Sequence, residues 1–338
     1  MSSRTTPATI VSAFVLAASL AVAPTARADD QYVMKITLPT IHETNWEAAT
    51  EYATRVEKDS GGRIKTEVYP ASQLGSIPRQ IEGLQFGSIQ CGFIPPEFFV
   101  GVDDRFQIMA APGLVETMDQ AQRVAQDPEV KKLMLGLGAS KGLYGAAMFA
   151  ATPSFLDSRT PIRHLADLKG KKVRVLASDF QMKAFERLGA TPVAMSLGDV
   201  LPAIQQGAID ASLSGLTVFT TMSYQDAAKY ITAVRQPFIF IVVELSAKWR
   251  SSLPPDLQKV VDQAAQEESV AIQSYALKDL AGGTKDWTDH GGEMIELPKD
   301  EQAAMMESMG SVGEDVSKKD PALAAAYKIV TAAAKRDK

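Results

Sequence analysis

From Leu168 to Gly215 the chain alternates short apolar runs with helical segments, with only a few residues at each join. Val173, Val175 and Leu176 form a β-branched run that reads as a buried strand. A helix follows at Asp179–Leu188, stopped by Gly189, then a strand at Thr191–Met195. A second helix at Gly198–Gln206 ends at Gly207 and leads into a strand at Ile209–Leu213. Parallel strands cannot be joined by a tight hairpin and need a crossover, usually a helix. The alternation therefore predicts a parallel sheet covered by helices. Arg174 sits inside the first run. A buried guanidinium is costly without a partner, so it should face whatever fills the crevice at the sheet's edge.

The same order occurs near the start. Strands are predicted at Tyr32–Leu38, Ile64–Tyr69 and Ile89–Ile94, with helices at Asn45–Ser60 and Ser76–Phe86 between them. The helix signal is Trp46, Ala49, Ala53 and Val56 in one segment and Ile77, Ile81 and Leu84 in the other. Leu84–Gln90 can be laid over Ile204–Asp210, which places Gly87 on Gly207 at an offset of 120 residues. Each glycine follows a helix and precedes a strand, where a left-handed helix end favours glycine. The chain reads as a degenerate repeat, two α/β lobes in series. Ligands in open parallel sheets lie beyond the carboxyl ends of the strands. Those ends are Pro39–His42, Ile94–Phe98, Ala177–Asp179 and Ser214–Thr217.

A length of 338 residues suits two such lobes. Phe238–Leu245 reads as a strand crossing between them. Trp249–Asp256 then opens a long helix through Leu257, Val260, Val261, Ala264 and Ala265 toward Leu280. Gly282-Gly283 and Gly291-Gly292 read as turns, Met294–Leu297 as a short strand, and the Ala-rich stretch 322–334 as a packing helix.

The extreme N-terminus has the three parts of a secretory signal: Arg4, an apolar run from Ile10 to Val22, and Ala26-Arg27-Ala28 before Asp29. That run is too short to span a bilayer, and no later run is longer, so an exported protein that does not span a membrane is expected. Net charge is −5 with Lys and Arg dispersed, which argues against nucleic-acid binding. The single cysteine, Cys91, lies among apolar neighbours and reads as a small buried residue. Catalytic signatures are missing: no Gly-x-Ser-x-Gly elbow, no His-Glu-x-x-His, no paired cysteines, and no phosphate-cradling glycine loop. Asp103-Asp104 reads as a turn. No enzyme, cofactor or metal is expected.

Several segments, taken in order, resemble one family. They are Gly61-Gly62-Arg63-Ile64 leading into Val68–Gly75, Leu165–Val175, Leu188–Val193, Gln206–Asp210 and Leu253–Gln258. The chain resembles the substrate-binding subunits of tripartite ATP-independent periplasmic (TRAP) transporters over nearly all of its mature length. The resemblance implies a periplasmic-binding-protein-like α/β fold, type II-like, with two open sheets, strands crossing between the lobes and one long bracing helix. The division expected is signal peptide 1–28, lobe I at 29–151 plus 240–279, lobe II at 152–239 plus 280–310, and a helical tail at 311–338. The resemblance also implies a periplasmic protein that captures a small organic acid and delivers it to membrane subunits. It places the ligand clamp at Arg174, whose planar fork suits a carboxylate.

The chain departs from the family pattern twice. Ser214 stands where many members carry asparagine, and Phe149–Ser154 lacks the second arginine of sialic-acid-type members. The expected ligand is therefore a monocarboxylate with an apolar or aromatic body. Expected contacts besides Arg174 and Ser214 are Thr40, His42, Glu97, Phe98, Leu197 and Phe219. A periplasmic sensor built from the same lobes, or an exported enzyme, remains an alternative at this level.

Overall fold

The computed structural model describes residues 1–2 and 31–336. The expected signal peptide lies almost wholly outside the described residues.

Among the described residues from 31 onward there are ten strands: β1 (Tyr32–Thr37), β2 (Ile64–Tyr69), β3 (Cys91–Ile94), β4 (Leu143–Ser158), β5 (Lys172–Val175), β6 (Thr191–Ala194), β7 (Ala211–Gly215), β8 (Tyr230–Thr232), β9 (Phe238–Ser246) and β10 (Glu293–Ile295). They hydrogen-bond in the order β2-β1-β3-β9-β4-β7-β5-β6, with β8 and β10 branching from β4. β1 runs parallel to β2 and β3, and β5 runs parallel to β6 and β7. The connecting helices are Thr44–Asp59 and Ile77–Phe86 in the first set, Asp179–Arg187 and Val200–Gln205 in the second. This is the repeated β-α-β-α-β order read from the sequence. The two glycines of the repeat both adopt left-handed backbone, φ 86° at Gly87 and φ 71° at Gly207, where a side chain would be strained.

The two halves are joined by β4 and β9, the latter antiparallel to both β3 and β4. β4 pairs with β9 from Leu143 to Pro153, then with β7 from Ser154 to Ser158. One strand thus belongs to both sheets, and its register shifts between Ala150 and Thr152, at the change of partner. The residues alone did not mark β4 as a strand. Fifteen of its sixteen positions are buried, so the period-two alternation that betrays a half-exposed strand is missing. Pro153 weakens the signal further.

The first helix, Thr44–Asp59, buries Ala48, Ala49, Tyr52, Ala53 and Val56. These pack on Leu257, Val261, Ala264 and Ala265 of helix Pro255–Ala271, and Tyr52 donates to the carbonyl of Val261 at 3.3 Å. The long helix differs from expectation. It breaks at Ile272 into Pro255–Ala271 and Gln273–Asp289, and Gly282 and Gly283 lie inside the second piece rather than in a turn. Gly283 is there for closeness: a Cβ would stand 2.9 Å from Leu216 Cδ2. The expected strand at 209–213 is two residues later, at Ala211–Gly215, where its register opposite Val173 and Arg174 puts the apolar side chains on the core face. The final helix, Pro321–Arg336, buries Leu323, Ala326, Val330, Ala333 and Ala334, and Gln120 bonds its Ala334 carbonyl at 3.0 Å. No helix among the described residues is long and apolar enough to cross a membrane.

One substitution tests the packing at the shared strand. A Cβ on Gly145 would lie 2.6 Å from Leu135 Cα and 2.7 Å from its carbonyl oxygen. Backbone cannot rotate aside, so Gly145→Ala should cost about 1–3 kcal/mol, as overpacking does. A lowered denaturant midpoint at unchanged slope is the expected reading; an unchanged midpoint would mean that the Leu135 turn yields freely.

Candidate functional site

Arg174 lies on β5, between β6 and β7, and is 1 % exposed. Two backbone carbonyls fix its plane. Nε donates to Met195 O at 2.9 Å, and Nη1 donates to Leu213 O at 2.8 Å. Nη2 has no hydrogen-bond partner among the described residues, and no carboxylate lies within ion-pair distance. Burial lowers its pKa to about 10, with the nearby Tyr224 and Glu97 acting in the opposite direction. The group therefore stays cationic at neutral pH.

Arg174 lines a cavity of about 40 Å³. That is space for on the order of three waters, so the walls stand close together. Pro39, Thr40, Glu43, Asn45, Ile77, Pro95 and Phe98 line it from the first half. Arg174, Leu176, Leu197, Ser214 and Val218 line it from the second, and Ala151, Thr152, Ile239 and Ile241 from the crossing strands. The wall is mostly apolar with a few polar anchors, the usual composition of a small-ligand site.

Of the residues singled out from sequence, Arg174, Ser214, Thr40, Phe98 and Leu197 come together on this cavity. His42, Glu97 and Phe219 do not line it. His42 is exposed, turned outward by a left-handed backbone at φ 55°, and its ring meets Trp46 edge-on at 4.7 Å. Phe219 is core, packed on Tyr224 with ring centroids 5.3 Å apart. Glu97 is fully buried on the 3-10 turn Pro96–Phe99, and neither carboxyl oxygen has a partner. Burial raises its pKa to about 8, against the pull of the Arg174 charge.

Among the cavity residues that the sequence did not single out are Glu43 and Asn45. Glu43 caps helix Thr44–Asp59, accepting from the backbone N–H groups of Asn45 and Trp46. Burial raises its pKa to about 7. Asn45 donates from Nδ2 to Phe93 O at 3.1 Å and to Thr40 Oγ1 at 3.3 Å. Their signal was the position itself, the start of the first helix just after the carboxyl end of a parallel strand.

A family model for the bacterial extracellular solute-binding proteins, family 7, matches residues 38–320. The chain belongs to that family. The family is one of extracellular solute-binding proteins, as the resemblance implied. It is 25% identical over 276 residues to the C4-dicarboxylate-binding periplasmic protein DctP of Rhodobacter capsulatus, covering 80% of this chain and 82% of that one. Its fold matches the sugar acid binding protein DctPAm of Advenella mimigardefordensis in complex with galactonate, with TM-score 0.86 at 22% identity, covering 91% of this chain and 99% of the other. It also matches a TRAP periplasmic solute-binding protein of Desulfovibrio salexigens with bound orotic acid, with TM-score 0.83 at 22% identity, covering 90% and 100%. The family 7 protein thus has the two-lobed fold of these neighbours, with the cavity where the two sheets and their shared strand meet.

Proposed function

We propose that this solute-binding protein captures a small monocarboxylate in the cavity at Arg174. One observation carries the reading: a buried, cationic guanidinium held in plane by two carbonyls, with no carboxylate within ion-pair distance among the described residues, lining a cavity between the two halves. After those two bonds its remaining N–H groups suffice for a forked pair with one carboxylate. The cavity lining holds no second cation, which disfavours a second carboxylate. Ile77, Phe98, Leu197, Ile239 and Ile241 suit an apolar body. In the proposed cycle the protein is exported by its N-terminal signal, the lobes close on the acid, and the closed form hands it to TRAP membrane subunits. Hinge closure about a ligand is a known switching mode of two-lobed proteins. The acids named for the relatives, among them C4-dicarboxylate, galactonate and orotic acid, support an organic-acid ligand.

A thermal-shift screen of the purified protein with mono- and dicarboxylates, aromatic acids and sugar acids tests this. A ligand at 100 times its dissociation constant should stabilise by about 2.7 kcal/mol, a shift of a few degrees. Stabilisation by neutral or cationic compounds, with none by any acid, would overturn it.

A further inference from the structure

We infer that Asp279 is a latch across the cleft, a residue that sets how firmly the acid is held without touching it. The inference rests on the closure proposed above, but not on which acid binds. Asp279 Oδ2 accepts from Thr44 Oγ1 at 2.9 Å and from Thr217 Oγ1 at 2.8 Å. Thr44 opens the first helix of one half, and Thr217 stands in helix Leu216–Thr221, directly after β7 of the other. One carboxylate oxygen thus joins the two halves.

The packing of the broken helix shows which of the two bonds crosses. Pro255–Ala271 rides with the first half, through its contacts with Thr44–Asp59. Past the break at Ile272, Gln273–Asp289 rides with the second. Its Trp287 lies in one core with Phe219 and Tyr224, and its Gly283 lets Leu216 and Thr217 come close. The Thr217 bond therefore lies within the second half and aims the carboxylate, while the Thr44 bond spans the seam. Thr44 and Thr217 are 2 % and 7 % exposed, so water competes poorly for either hydroxyl in this form.

The latch stands just behind the pocket wall. Glu43 and Asn45 flank Thr44, Val218 follows Thr217, and all three of these neighbours line the cavity. Thr44, Thr217 and Asp279 do not line it. Parting of the halves draws Thr44 away from Asp279, and both groups regain water. The bond is then worth the net value of a hydrogen bond to a charged group, not its bare strength. An equilibrium between two forms is shifted only by what differs between them, and this bond belongs to the closed form alone.

The test traps the closed form with a disulfide. A Cβ on Gly198, in the second half, would stand 4.0 Å from Ser72 Cβ in the first, within the span of a disulfide. Purified protein carrying Ser72→Cys and Gly198→Cys should cross-link under mild oxidant, without ligand, at a rate set by the time spent closed. The native Cys91 is buried and does not compete. Thr44→Val or Asp279→Ala in this background should slow trapping about 3- to 30-fold. The variant with both changes should be no slower than the slower single one, because each removes the same bond. Melting temperatures of the reduced proteins should stay close to the parent's; a merely structural role would lower them and leave trapping unchanged. Trapping within about twofold of the parent in both single variants, effects that multiply in the double variant, or no trapping of the parent in about a day each overturn the inference. If trapping follows the latch while Arg174→Ala keeps native acid binding, only the reading of Arg174 falls. If Arg174→Ala loses the acid while trapping ignores Thr44 and Asp279, only the latch falls.

Discussion

Arg174→Ala is expected to remove acid binding and leave the protein folded. Truncating one member of a buried, hydrogen-bonded charge pair costs about 2–5 kcal/mol, so affinity should drop by roughly 30-fold to several thousand-fold. The fold should survive, because among the described residues the side chain's hydrogen bonds are two, to the carbonyls of Met195 and Leu213. The space it leaves adjoins the cavity and can be hydrated. Arg174→Lys is the sharper comparison. A lysine keeps the charge but not the planar fork, and it cannot hold both carbonyls while offering two parallel donors. It should bind at least tenfold more weakly than the native protein. Calorimetry reports the affinity and circular dichroism the fold. Native affinity in either variant would show that the acid is held elsewhere.

Stability should fall as pH rises from about 5 to about 8. Glu97 titrates near 8 in the folded chain, against an ordinary value of 4.5. Below 4.5 both folded and unfolded chains hold the proton, and stability does not change on its account. Between these values the folded chain holds a proton that the unfolded chain has lost, so stability drops by about 1.4 kcal/mol per pH unit at most, a few kcal/mol in all. Glu43 and Glu268, each raised to about 7 by burial, act in the same direction over a narrower range. Asp157 and Glu244, buried with both oxygens unpartnered, are also raised. The carboxylates held low, such as Asp103 beside Arg105 and Asp256 beside Arg63, lose their contribution only at the acid end. Glu97→Gln keeps the shape without the titration. Its melting temperature should match the native one at pH 5 and exceed it clearly at pH 8.5. Parallel curves for the two proteins would remove Glu97 from this account.

The two α/β halves were legible because their strands and helices carry ordinary signals: β-branched runs, one-sided helices and glycine stops. Arg174 was legible because a charge inside a buried strand needs a reason. His42, Phe219 and Glu97 show where such reading ends. Strand position locates a residue near the crevice, but direction is set by backbone and packing: a left-handed turn faces His42 outward, and the Tyr224 ring draws Phe219 into the core. β4 escaped because complete burial erases alternation. Glu43 escaped because capping of the first helix already accounts for an acid there, and Asn45 because it reads as the helix's own first turn.

The partner exchange along β4 has a mechanical meaning. A rotation of one half against the other cannot be absorbed by a slack linker, since the same continuous strand is stitched into both sheets. In the proposed closure the torsion would be shared by β9 and by the few β4 peptides between Ala150 and Ser154, and Ala151 and Thr152 there also form part of the pocket wall. If closure turns on this stretch, a substitution at Thr152 should alter at once how readily the jaws swing and how tightly they grip.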